Sequence, residues 1–475
     1  MTLATANTNN PITAELAWKY HIACSGMKDG RMTLLIDSGV SEADQQMRKE
    51  ELELITGYSI VFENTDPAIL FEQIRRDYSK KDSADDRLQH SYYTGHPDHF
   101  LNDLIAEAKS LKSSDIHIET YEHDCRVRIR VDGLLVLRYL IEKKQYPALI
   151  NKIKISANLD IAEKRLPQDG RIFFQREGDK FDIRVSIVPT LHGEKVVLRL
   201  LNNDATDIQL ETLGFSTGDL RNYQEGLKKP YGIVLISGPT GSGKTTTLYA
   251  TLKQLNLSTK NILTIEDPIE YTLKGVNQVQ VKENIGFTFA VALRTFLRQD
   301  PDIIMLGEIR DAETANMAIR AALTGHLVLS TIHTNSAWGT VSRLVDMGIP
   351  SFLIANTLNT SVAQRLIRLL CPECKRKETF LPEYFPRNYR PPGILESHFV
   401  PVGCAHCYNT GYRKRKAIYE VIPVDIELAD EIKKGTQRID DFLNEKQIKT
   451  LADNAFELLK TGETSLEEVY PMLLN

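Results

Sequence analysis

The sequence predicts an α/β fold for the C-terminal part of the chain, in which a parallel sheet is connected by helical crossovers. Beyond residue 206, short apolar runs alternate with helix-forming stretches, and several runs end in polar residues suited to bind phosphate or metal. Upstream, residues 96–205 combine strands of alternating polarity with amphipathic helices. That second pattern predicts a separate α+β domain.

A chain of 475 residues has room for about three domains. The segment Arg75 to Asp98 is charged and turn-rich, which predicts a linker after a small N-terminal domain. We therefore expect an N-terminal domain and linker over 1–95, a middle domain over 96–205 and a nucleotide domain over 206–475.

Inside the middle domain, helices are expected over 100–112 and 148–157. Between them, alternating apolar residues define the inner face of strands joined at Asp132-Gly133, a dipeptide typical of a hairpin turn.

Composition limits the function classes. The chain is 42% hydrophobic and 25% charged, with a net charge of −5 and a pI near 6.2, so it has no global basic field and no nucleic-acid partner is expected. No apolar run approaches the ~18 residues of a membrane span. The N-terminus lacks the basic and apolar regions of a secretory signal. These features predict a cytoplasmic protein.

The most informative motif is a phosphate-binding loop, or P-loop. An apolar run from Gly232 to Ile236 precedes "GPTGSGKT", which matches GxxxxGK[ST], and a helix-forming stretch follows. Lys244 is expected to reach the β- and γ-phosphates, and the Thr245 hydroxyl to bind Mg²⁺. The nucleotide-binding residues predicted by this motif are Gly238, Pro239, Thr240, Gly241, Ser242, Gly243, Lys244, Thr245 and Thr246.

Carboxylates follow two further apolar strands. "NILTIEDPIEY" ends in Glu266, Asp267 and Glu270, which either hold Mg²⁺ or form an acidic turn. "DIIMLGEIRD" places Glu308 directly after a four-residue strand, where a carboxylate can orient the attacking water. Glu308 is thus the predicted water-activating residue, and Glu266 the predicted magnesium ligand.

Two histidines flank the apolar strand within "TGHLVLSTIHTNSA". His326 precedes the run and His333 follows it. Each is either a satisfied polar group or a sensor of the γ-phosphate or of a neighbouring domain.

Four of the six cysteines form two CxxC pairs, whereas Cys24 and Cys125 stand alone. In a cytoplasmic protein this spacing predicts a closed tetrahedral Zn²⁺ site, within a module over about residues 366–420. His406 lies between two ligands without a predicted role. The four predicted ligands are Cys371, Cys374, Cys404 and Cys407.

Four consecutive motifs together resemble a known family. The P-loop, "TIEDPIEY", "LRQDPDIIMLGEIRDAETA" and "TGHLVLSTIHTNSA" are similar, in this order, to the Walker A, Asp box, Walker B and His box of secretion ATPases of the GspE/PilB family. That family drives type II secretion and type IV pilus assembly. "SDIHIE" also resembles the start of the family's middle domain, so the resemblance covers about residues 100–475.

The resemblance implies a RecA-like P-loop NTPase domain, a PAS-like middle domain and an N-terminal docking domain. It also implies an ATP- and Mg²⁺-dependent homohexamer at the cytoplasmic face of the inner membrane. There, the ring would act on a membrane platform protein of a pilus or secretion machine and associate with the membrane through its partners.

In the family, arginines of the middle domain reach the γ-phosphate, and by position these are Arg184 and Arg199 here. Arg199 is also unusual by itself, because it interrupts the apolar run from Val196 to Leu201. Arg294 and Arg298, one helical turn apart, either face nucleotide or a neighbour, or are solvated.

Three other functions remain as alternatives. Retraction ATPases of the family are shorter, lack the tetracysteine module and carry an "AIRNLIR"-like motif, which this sequence does not have. A nucleic-acid translocase is disfavoured by charge, and a non-hydrolysing scaffold by the presence of Lys244, Thr245 and Glu308. Residues 1–95 lack the helical "RLG" and "LxxQ" patterns of many members, so their docking partner is unassigned.

Overall fold

The computed structural model describes residues 12, 16–17, 20, 22–28, 31–66, 70, 73–74, 91–92, 97–176, 179–201 and 208–474. The chain divides into two compact units, residues 1–89 and 90–475. The domain boundaries expected at 95/96 and 205/206 lie outside the described residues, as does most of the predicted linker. They therefore stay predictions.

The first unit contains a three-stranded sheet in the order β1-β2-β3. Strands β1 and β2 pair antiparallel, whereas β2 and β3 are parallel and joined by a helix, α1. Ser41 caps the start of α1, and Gly57 ends it in the left-handed conformation. The element bounds are β1 Ile22–Lys28, β2 Arg31–Asp37, α1 Glu42–Thr56 and β3 Ser59–Thr65.

A seven-stranded sheet forms the first part of the second unit, in the order β4-β7-β6-β5-β10-β9-β8. Two helices, α2 and α3, pack with it around one apolar core. In chain order the elements are β4 Ser91–Tyr92, α2 Pro97–Ser110, β5 Asp115–Thr120, β6 Cys125–Val131, β7 Leu134–Ile141, α3 Tyr146–Ser156, β8 Gln168–Arg176, β9 Asp179–Thr190 and β10 Gly193–Leu201.

Alternation in these strands gives the sheet one apolar and one charged face. Ile116, Ile118, Val127 and Ile129 are fully buried. The positions that alternate with them on these strands carry polar or charged side chains, namely His117, Glu119, Arg126 and Arg128. The predicted hairpin at Asp132-Gly133 is confirmed, since both residues adopt positive φ, at 49° and 89°.

The second sheet of this unit has the order β13-β12-β14-β15-β11-β16-β19. All neighbours pair in parallel except β16 and β19. The strands are β11 Gly232–Ser237, β12 Ile262–Glu266, β13 Asn277–Gln280, β14 Ile303–Leu306, β15 Leu327–Ile332, β16 Leu358–Leu370 and β19 Tyr412–Pro423.

Helices cover both faces of this sheet, and each face has its own apolar core. Because the central strands are parallel, their carboxyl ends meet at one edge, and the predicted site residues follow several of these ends. The helices between strands are α4 Thr217–Lys228, α5 Lys244–Leu255, α6 Phe289–Phe296, α7 Ala312–Leu323, α8 Gly339–Asp346 and α9 Ser351–Thr357.

A small cysteine-bearing segment lies between β16 and β19 and contains the two-stranded sheet β17 Arg376–Thr379 and β18 Ser397–Val400. Residues 366–370 and 412–420 of the predicted zinc module instead belong to β16 and β19 of the main sheet. The chain ends in α10 Ile426–Lys434, α11 Asp440–Glu445, α12 Leu451–Lys460 and α13 Leu466–Leu473.

Candidate nucleotide site and metal centre

The P-loop follows β11 at the carboxyl edge of the second sheet. Gly238 has φ 149°, and a Cβ there would lie 2.5 Å from the carbonyl oxygen of Gln364. Gly243 has φ 88°, and a Cβ would lie 2.9 Å from Nε2 of Gln364. Only glycine fits these two positions, so the loop can bring its backbone N–H groups close to a phosphate.

Lys244 begins α5, and its side chain is buried against the loop. Its Nζ donates to the carbonyl oxygens of Gly238 at 2.7 Å and Pro239 at 3.1 Å. Burial lowers the pKa of Lys244, which nearby Arg365 lowers further and Glu308 partly offsets. Thr245 is exposed on the first turn of the same helix, next to the half-buried Thr246. The predicted phosphate-binding residues thus surround one helix N-terminus.

Glu308 follows β14 and contacts the guanidinium of Arg310 and the imidazole of His333. Arg310 donates from Nη2 to its Oε1 at 2.5 Å, and Nε2 of His333 lies 3.5 Å from Oε2. Burial would raise the pKa of Glu308, but the hydrogen bond and charge of Arg310, with His333 and Lys244, hold it below its usual value. Glu308 is therefore ionised at neutral pH, as a residue that orients or accepts a proton from water requires.

Glu266 is buried at the end of β12, where three donors occupy both of its oxygens. Thr264 Oγ1 donates to Oε1 at 2.6 Å and Gln278 Nε2 at 3.1 Å, while the Tyr249 hydroxyl donates to Oε2. In this structure Glu266 ties α5 to the sheet, and its role as a magnesium ligand stays a prediction. Asp267, next in the chain, is exposed and its charge acts on Arg310.

The structure separates the two histidines. His333 contacts Glu308, whereas His326 lies at the opposite end of β15, where its carbonyl oxygen accepts from the N–H of Gly232 at 3.1 Å. His326 Nδ1 lies 2.8 Å from the carbonyl oxygen of Ala321, at the end of α7. Because β15 and β11 are parallel, His326 and the P-loop are at opposite edges of the sheet. The structure does not bring His326 to the P-loop of its own chain. It therefore does not support a role for His326 as a sensor of the γ-phosphate there.

Arg199 and Arg184 lie side by side on the charged face of the first sheet. They are cross-strand partners in the β9–β10 ladder. Arg199 emerges at the sheet surface, where its Nε donates to Oδ1 of Asp115 at 2.8 Å. Arg184 reaches the nucleotide domain, where its Nη2 donates to the carbonyl oxygen of Ile269 at 3.0 Å.

Sequence reasoning missed a third member of this row. Arg171 pairs opposite Arg184 in the β8–β9 ladder, and the three arginines line a cleft of about 510 Å³ that also contacts Pro268 and Gln280. Like charges directly opposite one another repel. Asp169 also lines the cleft, so three positive charges and one negative charge leave a net positive surface that an anion would stabilise.

The arginine cleft and the P-loop of one chain are separated along the sheet. Pro268 follows β12, which lies three strands from β11. At about 4.8 Å per strand, the separation is about 14 Å. The arginine row and the P-loop are thus two separate regions within one chain.

Arg294 and Arg298 are exposed, and their recorded partners are nearby residues of the same domain. Arg294 pairs with Glu313 at 3.1 Å, and Arg298 donates to the carbonyl oxygen of Arg294 at 3.2 Å. Neither contacts the P-loop in this chain, and a contact with a neighbouring copy stays a prediction.

Other site residues that sequence reasoning missed are Arg310, Gln364 and Arg365. The available signal was the polar pair in "SVAQRLIRLL", which interrupts an otherwise apolar run. Gln364 is buried and bonds to both sides of the loop, donating to the Ser242 carbonyl oxygen at 2.9 Å and accepting from the Thr247 hydroxyl at 2.9 Å.

The four cysteines of the CxxC pairs come together. Their sulfur atoms lie within 4.8 Å of one another, with separations of 3.9 Å between Cys371 and Cys404, 3.8 Å between Cys374 and Cys407 and 3.7 Å between Cys404 and Cys407. Four thiolates at about 2.3 Å from a tetrahedral zinc ion would be about 3.8 Å apart. The cluster fits a metal ion of this size, and His406 is exposed outside it.

Among the residues that the structure describes, no helix is long and apolar enough to cross a bilayer.

Comparisons with known proteins agree on one family. The family model described as type II/IV secretion system protein matches residues 95–471. The type II secretion system ATPase E of Vibrio cholerae serotype O1 is 46% identical over 378 residues, covering 78% of this chain and 74% of that protein. The type IV pilus assembly ATPase PilB of Myxococcus xanthus is 43% identical over 449 residues, covering 88% and 79%.

Among solved structures, the pilus retraction motor PilT with bound ADP superposes with a TM-score of 0.53 at 26% identity, covering 78% of this chain and 96% of that one. These similarities confirm the predicted α/β, RecA-like fold and the predicted ATPase activity.

Proposed function

Because the chain belongs to the type II/IV secretion system protein family, we propose that it is the motor that powers type II protein secretion or type IV pilus assembly. The observation that carries the proposal is the arrangement of two charged regions. Lys244 and Glu308 lie at one edge of the second sheet, and the arginine cleft lies on a separate domain. Splitting of ATP beside Lys244 and Glu308 would thus be coupled to movement of the domain that carries the arginine cleft.

In the hydrolytic step, the N–H groups of the P-loop and Lys244 bind the phosphates, for which Lys244 must leave the carbonyl oxygens of Gly238 and Pro239. Glu308 orients the attacking water. Arg310 and His333 keep the carboxylate of Glu308 ionised. The exposed hydroxyl of Thr245 would hold Mg²⁺, which neutralises charge on the phosphates. Asp267, in the Asp box, is an exposed carboxylate that directly follows β12.

The arginine cleft supports a ring in which each ATP is shared by two copies. Since the cleft and the P-loop of one chain are about 14 Å apart along the sheet, Arg184 and Arg199 would complete the P-loop site of a neighbour. We propose a homohexamer on this basis and on the family resemblance.

A mixing experiment tests the shared site. Arg199→Ala and Lys244→Ala proteins should each be inactive, but mixed rings should regain part of the ATPase activity, because some sites combine an intact loop with an intact arginine. The matched control replaces the second protein by the Arg199→Ala, Lys244→Ala double variant, which cannot complete any site. Confirmed hexamers without rescue would contradict the proposal.

The tetracysteine cluster is proposed to hold one structural Zn²⁺ per chain. Four thiolates leave no open position for catalysis, so the metal would stabilise the segment between β16 and β19. Metal analysis should give about one zinc per chain, and Cys374→Ser should lower both zinc content and the unfolding midpoint. Cys24→Ser is the control, and a metal-free protein of unchanged midpoint would contradict the assignment.

The partner is proposed to be a platform protein of the inner membrane, with the chain at its cytoplasmic face. The type II secretion relative and the type IV pilus relative have similar sequence identities to this chain, 46% and 43%. Co-sedimentation with inner-membrane vesicles that contain the platform protein is expected, and none with vesicles that lack it. Equal binding to both vesicles would contradict attachment through this partner.

A further inference from the structure

Arg365 is a half-buried cation beside the P-loop, and the hydrolytic step described above assigns it no role. It lies on β16, the neighbour of β11 on the side away from β14. Its Nη1 donates to the carbonyl oxygen of Gln364 at 3.0 Å and its Nη2 to that of Asn335 at 2.8 Å. In the described parts of the chain, no carboxylate forms an ion pair with it.

The guanidinium lies beside the first residue of the P-loop. A Cβ added to Gly238 would lie 3.1 Å from Nη1 of Arg365. Lys244 donates to the carbonyl oxygen of the same glycine at 2.7 Å. Two cations therefore flank the first residue of the loop, one from α5 and one from β16.

The surroundings of Arg365 do not neutralise its charge. Burial lowers the pKa of Arg365, and only Glu420 acts in the other direction. Both oxygens of Glu420 already accept hydrogen bonds from backbone N–H groups, from Ala337 at 2.8 Å and from Leu451 at 3.1 Å. A desolvated cation without an anion is costly to fold, and a bound anion removes that cost.

Resting on the ATPase function, we propose that Arg365 binds the phosphate chain of the ATP held by the P-loop of its own chain. A guanidinium has five N–H donors, and its two recorded hydrogen bonds leave others for phosphate oxygens. Arg365 is thus the same-chain counterpart of the arginines that a neighbour would supply.

Binding measurements on the full-length protein test this. Affinities for Mg·ADP and for a slowly hydrolysed Mg·ATP analogue are compared between wild type, Arg365→Gln and Arg365→Lys, together with unfolding midpoints with and without nucleotide. Arg365→Gln should bind the triphosphate analogue at least tenfold more weakly, and Arg365→Lys should recover part of the loss. Without nucleotide, the midpoint of Arg365→Gln should equal or exceed that of wild type, because a half-buried cation that has no carboxylate partner is gone.

Arg368→Gln is the matched control on the same strand. Arg368 is also half-buried, but its Nε donates to Glu468 at 2.7 Å, so its loss should lower the unfolding midpoint and leave nucleotide affinity within twofold. A purely structural role of Arg365 would give this same pattern in Arg365→Gln and would overturn the proposal. Wild-type protein that binds no nucleotide would overturn the ATP site itself, which distinguishes the two failures.

Discussion

The P-loop and the arginine cleft show two ways of assembling a charged site. The loop is built from consecutive residues, 238–246, whose cation Lys244 is buried and bonded to backbone carbonyl groups. The cleft is built from Arg171, Arg184 and Arg199 on three neighbouring strands, and it stays open. The first site is local in the chain, whereas the second exists only through strand register.

The two regions also differ in how their carboxylates are used. Beside the loop, Glu308 faces Arg310 and His333 at the edge where ATP would be split. On the charged face of the first sheet, Asp115 and Glu119 each bind several basic side chains and hold the strands together. Loss of a carboxylate should therefore affect catalysis in one region and stability in the other.

The largest effect is expected at the loop. Lys244→Ala and Glu308→Gln should each lower ATP turnover by about 100-fold or more, because each removes a group that acts on the transferred phosphate or the water. Steady-state phosphate release measures this, and circular dichroism should show an unchanged fold. Glu313→Gln, an exposed position on α7, is the control. Full turnover in either site variant would refute the assignment.

An intermediate effect is expected where β16 supports the loop. Gln364→Leu keeps the volume but leaves the Ser242 carbonyl group and the Thr247 hydroxyl short of a partner. We expect a loss of about 1–3 kcal/mol in unfolding free energy, with a higher KM for ATP. Denaturant unfolding and ATPase kinetics measure the two effects. Gln299→Leu, at an exposed position, is the control. An unchanged KM for ATP in Gln364→Leu would show that the P-loop does not depend on the Gln364 side chain.

The smallest effect on ATP turnover is expected at the charged face, where the change is in stability and depends on pH. Burial would raise the pKa of Glu119, but hydrogen bonds from Arg128, Lys195 and Arg126 lower it to about 2. A lowered folded-state pKa stabilises the fold above the unfolded value near 4.5, and this contribution declines as pH falls toward about 2.

Glu119→Gln should therefore lower the unfolding midpoint at pH 7 and lose its effect progressively below pH about 4.5. Thermal unfolding of wild type and variant at several pH values measures the difference. Glu122→Gln, on an exposed side chain in the following turn, should show no such trend. A difference that does not vary with pH would exclude this ion cluster as its cause.

Much of the nucleotide site was predictable from sequence because its signals are local. The P-loop spacing, the strand before Glu308 and the two CxxC pairs are each readable within a few residues. Gln364 and Arg365 were missed, although they interrupt an apolar strand, since nothing in the sequence shows that this strand pairs with β11. The placement of His326 was not readable either, because it depends on which end of β15 meets the loop.

By itself, the sequence determined the α/β class and the phosphate loop, and it predicted that a carboxylate follows β14 and that the four CxxC cysteines lie together, because short-range spacing and glycine conformations specify these features. Only the tertiary structure decided which charges meet. Strand register placed three arginines in a row, strand order separated them from the P-loop, and sheet pairing set Arg365 against Gly238. Such contacts join residues distant in the chain, and local pattern does not encode them.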